Sequence, residues 1–161
     1  MDHDIRYSEA SDERALLKWL LDPDDLQWFP MSEGEELNIA VRNWIGFSKF
    51  RSSLTATVKG EPAAVGTLFL MPYKKVAHQA SFYLIVDKRW RKKGIGDSML
   101  KNLLNLAKNY FRLDSLYAEI YEGCPILSVL EKNGFERFVY QKDFVKDNGY
   151  KARIILEREL K

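Results

Sequence analysis

The sequence predicts a mixed α/β domain: one sheet of mixed strand direction with helices on its faces. Three observations carry this. First, "SSLTATVKG" (52–60), "AAVGTLFLM" (63–71) and "HQASFYLIV" (78–86) are strand-like runs with short connections, as in an antiparallel meander. Second, the period then changes, with Met99, Leu100, Leu103, Leu104, Ala107 and Tyr110 at helical spacing. Third, "DSLYAEIY" (114–121) follows as a strand, so the helix reads as a crossover to a parallel neighbour. The 161 residues suit a single domain spanning 1–161.

The remaining elements follow in order. "DIRYSEA" is a short first strand. Ser11 is positioned to cap a helix to about Leu21, since Ala15, Leu16, Trp19 and Leu20 share a face; "DPDD" ends it. Ser32 to Glu35, "SEGE", has capping-box spacing ahead of a second helical face made by Leu37, Val41, Trp44 and Ile45, and Gly46 weakens its end. After the long helix and its strand, Pro125 opens a helix that Gly134 closes. "FERFVYQKDFV", "DNG" and "YKARIILERE" form a closing hairpin.

Composition narrows the function classes. The chain is 46% hydrophobic and 30% charged, which is ordinary for a soluble domain. Its 25 basic and 23 acidic residues leave a net charge of +2, which argues against a dedicated nucleic-acid binder. Cys124 is the only cysteine, so no internal disulfide exists. "MDHDIRYSEA" lacks a signal peptide's basic-then-apolar pattern, and no run approaches 18 apolar residues. A cytoplasmic protein without membrane contact is expected, as monomer or homodimer. His3, His78 and Cys124 are too far apart in sequence to form a recognisable metal set, so no metal is expected.

The segment "VDKRWRKKGIGDSML" (86–100) carries the chemistry. Five of the six residues from Lys88 to Lys93 are basic, and Gly94 and Gly96 follow. Such a run is a solvated turn, a nucleic-acid patch or a phosphate loop. A helix N-terminus offers free N–H donors and positive potential, and glycine lets a bulky anion approach. Together they make a phosphate site. The spacing R-x-x-G-x-G is neither the dinucleotide fingerprint nor the ATP-binding lysine loop.

Here the sequence resembles the Gcn5-related N-acetyltransferases. Arg91, Gly94 and Gly96 match that superfamily's [RQ]-x-x-G-x-[GA] signature at a strand-helix junction. Val86 stands at its usual valine, "VLEKNGF" (129–135) is similar to its second signature, and "AAVGTLFL" is similar to its central strand. The resemblance covers roughly residues 55–140. It implies a central mixed, splayed sheet flanked by helices, and transfer of acetyl from acetyl-CoA directly to an amine.

It further implies that the pantetheine arm lies between the strands ending near Val86 and Tyr121, with backbone groups of Ile85 and Val86 bonding it. Amides of Lys92, Lys93, Gly94, Ile95, Gly96 and Asp97 then receive the pyrophosphate, with Arg91 and Lys93 adding charge. The family's usual thiol-protonating tyrosine falls at Leu130 and one glutamate position falls near Ala80, so neither usual group is present. By analogy Glu119 assists amine deprotonation, unless it faces solvent or pairs with a surface lysine. Tyr121 shares its face and either lines the cleft or packs; Tyr83 is similarly open. Trp28 and Phe29 either wall the acceptor pocket or belong to the core, whereas Trp19 and Trp44 read as packing residues. His78 reads equally as a base or a surface residue, and Cys124 stands where a helix start can lower a thiol pKa.

The acceptor is a small-molecule amine or a peptide or protein N-terminus. A catalytically weak, cofactor-binding sensor and a basic nucleic-acid module are the rival readings; for the second no RNA-binding aromatic signature or zinc-finger spacing is present.

Overall fold

The computed structural model describes residues 2–161. The chain runs β1 (Asp4–Tyr7), α1 (Glu13–Leu20), α2 (Pro23–Leu26), α3 (Glu35–Gly46), β2 (Ser53–Val58), β3 (Glu61–Leu70), β4 (Gln79–Val86), α4 (Ile95–Asn105), β5 (Ser115–Tyr121), α5 (Leu127–Lys132), β6 (Glu136–Lys146) and β7 (Tyr150–Glu159). The strands form one sheet in the order β1-β2-β3-β4-β5-β7-β6. Only β4 and β5 are parallel; the other neighbours are antiparallel. The mixed sheet, the meander and the parallel crossover are as the sequence predicts.

Local details differ near the N-terminus. Ser11 does not cap α1. It lies in a 3-10 turn, Ala10–Asp12, closed by a reciprocal Glu9–Asp12 box. "DPDD" does more than end a helix: Asp22 accepts from the Asp24 N–H and Pro23 starts the short α2. In "SEGE" the return bond runs from the Ser32 N–H to Glu36, not Glu35. At the other end of the chain, α5 closes as expected. Gly134 takes φ 86°, its N–H reaches Glu131 O, and the Phe135 N–H reaches Leu130 O, the paired bonds of a left-handed helix cap.

The helices take opposite faces. Alternation sends Ala64, Leu68, Phe82, Leu84, Ala118 and Ile120 under α4 and α5, while Val65 and Ile85 pack under α1 and α3 with Leu16, Leu20, Leu37, Val41 and Trp44. Helix α4 approaches β3 closely: a Cβ on Gly66 would lie 2.7 Å from Leu103 Cδ1. Beneath α1 and α3 runs a buried polar chain. The Trp44 Nε1–H donates to Thr67 (2.8 Å), and Thr67, Ser53, Ser8 and Thr55 continue at 2.6, 2.8 and 2.8 Å to Asp12. Each hydroxyl has one proton, and Ser53 donates to Ser8 while Thr55 donates to Asp12. The direction of the whole chain is therefore set, and it ends on a carboxylate paired with Arg6 at 2.8 Å.

One irregularity positions the site. β4 pairs with β5 only at Gln79–Ser115, Ala80–Leu116 and Ser81–Tyr117. β5 keeps β7 as partner over its full length, so beyond Ser81 the edge of β4 is left open.

Candidate active site

The splay opens a cleft of about 490 Å³, walled by β4, β5, the start of α4, α5 and the α2 segment. Of the residues the sequence singles out, Trp28, Phe29, Tyr83, Ile85, Val86, Arg91, Lys92, Gly94, Gly96, Asp97 and Glu119 line it. Lys93, on the loop, and Ile95, at the start of α4, sit beside it, Lys93 exposed and the Ile95 side chain buried.

Backbone alternation assigns the donors on β4. The Asp87 N–H bonds Ala63 O, so Ile85 is turned toward β3, while Leu84 and Val86 present their backbone groups to the open side. This corrects the expectation for Ile85, whose side chain is buried in the core under α1 and α3. The Val86 carbonyl is also engaged, accepting from Arg91 Nε at 2.9 Å.

At the other end of the cleft Gly94 precedes α4 with φ 86° and no side-chain cap. The first N–H groups of α4, on Ile95, Gly96 and Asp97, lie at the helix N-terminus, where no intrahelical acceptor exists. A Cβ on Gly94 would meet nothing within 4 Å, so the space beside these donors is open. Gly96 is different, because its Cβ would touch Val86 at 3.6 Å. A pyrophosphate fits against the α4 donors and an extended amide-bearing arm against the open β4 edge. The residues present thus suit coenzyme A.

The basic run is largely neutralised. Lys88 pairs with Asp22 (2.5 Å), Arg89 with Asp87 (2.8 Å) and Arg91 with Asp25 (2.6 Å). Lys92 and Lys93 have no carboxylate partner among the described residues. Arg91 is thus first a strut, joining the end of β4 to α2, rather than a free phosphate ligand. The Asp25 partner carries no signal in the sequence, where it is one of three aspartates in "DPDD".

Glu119, which lines the cleft, has its charge partner in a distant part of the chain. Glu119 is two-fifths exposed and lies 3.4 Å from Arg153 Nη1 on β7. Arg153 stacks on Phe144 at 3.9 Å, also reaches Gln141, and keeps a buried Nε without a partner. Sequence reading missed Arg153, since only the β5–β7 pairing brings it beside Glu119. Tyr83 faces Phe29 at 5.1 Å between ring centroids. Burial, with the Glu119 charge, raises its phenol above the ordinary tyrosine range. Tyr121 is a correction: it is 3% exposed and does not line the cleft. Burial, with Tyr83 and Glu119 nearby, pushes its phenol up to about 12. Leu130 lines the cleft as a fully buried apolar residue, and Ala80 is core. Cys124 lines the cleft too, but burial pushes its thiol up rather than down. His78 is exposed. No group of three or more His, Cys, Asp or Glu among the described residues is placed to hold a metal.

Trp28 rests 3.6 Å from the Cβ position of Gly123 and under Lys151 Nζ, 4.5 Å from its ring centre; Lys151 also reaches Gln27 at 3.0 Å. The α2 segment is therefore pinned at one end to the loop before α4 and at the other to β7.

Comparison with known proteins agrees with this geometry. The acetyltransferase (GNAT) domain family matches residues 4–136, so the chain belongs to the GNAT acetyltransferase family. It is 30% identical over 146 residues to a candidate phosphinothricin acetyltransferase, YwnH of Bacillus subtilis (strain 168), covering 85% of this chain and 77% of that protein. It is 25% identical over 108 residues to the L-amino acid N-acetyltransferase AaaT of Escherichia coli (strain K12), covering 63% and 67%. The structure of yncA, a candidate acetyltransferase from Salmonella typhimurium, with its cofactor acetyl-CoA superposes with a TM-score of 0.82 at 12% identity, over 99% of this chain and 94% of that one. No helix among the described residues is long and apolar enough to cross a membrane.

Proposed function

We propose that the chain is an acetyl-CoA-dependent N-acetyltransferase acting on the primary amine of a small acceptor that also carries an acidic group, as an α-amino acid does. The observation that carries this is the splay itself: an open β4 edge, a glycine-flanked helix start at one end, and Glu119 in the cleft lining with Arg153 of β7 paired to it. Opposite charges side by side suit a zwitterion, with Glu119 toward the ammonium and Arg153 toward the carboxylate. The names of the two curated relatives favour the same acceptor class over a protein N-terminus.

Acetyl-CoA supplies the acetyl thioester. Glu119, directly or through a water, takes one proton from the acceptor ammonium and frees its lone pair. The nitrogen forms the new C–N bond to the acetyl carbon as the C–S bond breaks, and the thiolate leaves with the sulfur's electron pair. The outward-facing backbone N–H groups at Leu84 and Val86 would be available to stabilise a developing oxyanion. The amine's second proton passes to the thiolate or to solvent. Neither Leu130 nor the buried Tyr121 assists, and a thiolate leaves without an acid because thiols are far stronger acids than alcohols.

Thiol release with the purified protein, acetyl-CoA and a panel of L-amino acids, polyamines, aminoglycosides and peptide N-termini tests the reading. Turnover confined to amino-acid-like acceptors supports it. Turnover confined to peptide N-termini would overturn the acceptor class. Saturable coenzyme A binding without turnover of any amine would favour a sensor.

A further inference from the structure

We propose that a second concavity, next to the cleft, is a side-chain subsite that selects acceptors with a bulky apolar or aromatic group. This rests on the acetyltransferase reading of the cleft. The concavity measures about 330 Å³, and Met31, Trp44, Phe47, Phe69 and Tyr83 make most of its wall. Tyr83 lines both the concavity and the cleft, so the two are neighbours that share this side chain as a common wall. Phe29 stands at the junction, its ring centre 5.1 Å from Tyr83 and 5.5 Å from Trp44.

The wall is preformed. Trp44 is anchored by its indole N–H on Thr67, and Phe69 sits edge-on to Tyr83 at 5.0 Å and to Phe47 at 5.2 Å. Leu16, Leu20, Leu37 and Val41 beneath it are at most 1% exposed. The core is therefore complete without the concavity being filled, and its apolar surface is left facing outward. Its polar contributors are Glu36 and Asn43, both exposed, and Glu36 is occupied with the Ser32 N–H. No basic residue lines it, so an anionic occupant has no partner there. Ammonium and carboxylate therefore belong beside Glu119 and Arg153, and the acceptor's side chain beyond Tyr83.

The experiment compares kcat/KM for L-alanine, L-leucine, L-methionine and L-phenylalanine at saturating acetyl-CoA. The larger acceptors should exceed alanine by about ten- to a hundredfold, mainly through KM. Ala40→Trp, which fills the concavity from α3, should cut that advantage to within about threefold. Calorimetric acetyl-CoA affinity on the same sample reports that the variant is folded. A flat series from an active enzyme overturns the subsite and leaves the acetyltransferase reading standing.

Calorimetry with N-acetyl-L-leucine and N-acetylglycine, in the presence of coenzyme A, decides the subsite even if no acceptor turns over. Tighter binding of the leucine derivative, lost in Ala40→Trp, supports it, and equal binding overturns it. A wild-type dimer that Ala40→Trp dissociates in sedimentation would also overturn it, because a second copy would then be the occupant.

Discussion

At the residue scale, Gly94 and Glu119 are the sharpest tests. Gly94 has a left-handed φ of 86° and open space around its Cβ position. Gly94→Ala should cost only about 1 kcal/mol of stability, through backbone conformation. Acetyl-CoA affinity should fall by more than that conformational cost predicts, because the methyl group enters the space where the pyrophosphate approaches. Paired urea unfolding and calorimetry separate the two, and equal losses in both would remove Gly94 from the cofactor site. Glu119→Gln keeps the shape of the side chain and its proximity to Arg153. Without a proton acceptor the enzyme depends on the free amine already in solution, which is scarcer at lower pH. Turnover should therefore fall about ten- to a thousandfold at pH 6.5 and much less at pH 9, with acetyl-CoA affinity nearly unchanged. A pH-independent ratio would leave backbone-ordered water as the better account.

At the scale of elements, the strut between Arg91 and Asp25 joins the cofactor loop to α2, which leads directly into Trp28 and Phe29. Asp25 is buried, and the Arg91 charge is partly exposed. Asp25→Asn should release α2 from the loop and raise the acceptor KM several-fold. The acetyl-CoA Kd should change by less than about twofold, because the α4 donors do not depend on Asp25. A folding defect alone would not separate the two constants in this way. The Lys88–Asp22 pair is more exposed, so Asp22→Asn should have a smaller effect.

At the scale of the whole molecule, the buried hydroxyl chain ties β1, β2 and β3 to α3 and ends on Asp12. Burial alone would push the Asp12 carboxyl up. Donors from Arg6, the Glu9 N–H and Thr55, with the Arg6 charge, hold it below the ordinary carboxylate range instead. A lowered folded pKa contributes stability above the unfolded value of about 3.9, and that contribution is lost as pH falls through the folded value. Asp12→Asn should destabilise the domain by about 1–3 kcal/mol at pH 7, toward the lower end because Arg6 is about one-third exposed. Urea unfolding at pH 7 and pH 3 checks it: the gap between wild type and variant should narrow at pH 3. Gly66→Ala should cost about 1–3 kcal/mol by forcing Leu103 out of a fully packed position.

The sequence by itself determined the strands of the meander, the long crossover helix, the glycine-flanked helix start and the closing hairpin. Each is encoded locally, in residue period, in a glycine whose φ other residues resist, or in a short turn. Glu119 and the aromatic pair Trp28 and Phe29 came from the resemblance to the acetyltransferase family rather than from period or composition. Only the tertiary structure decided that β7 lies between β5 and β6 and brings Arg153 beside Glu119. Only it showed that Tyr121 turns into the packing around Phe144 rather than the cleft, and that Arg91 spends its charge on Asp25. These outcomes depend on which strands become neighbours and on charge pairs 66 and 34 residues apart in the chain. Neither period nor propensity carries that information, because both report only on residues within a few positions of one another.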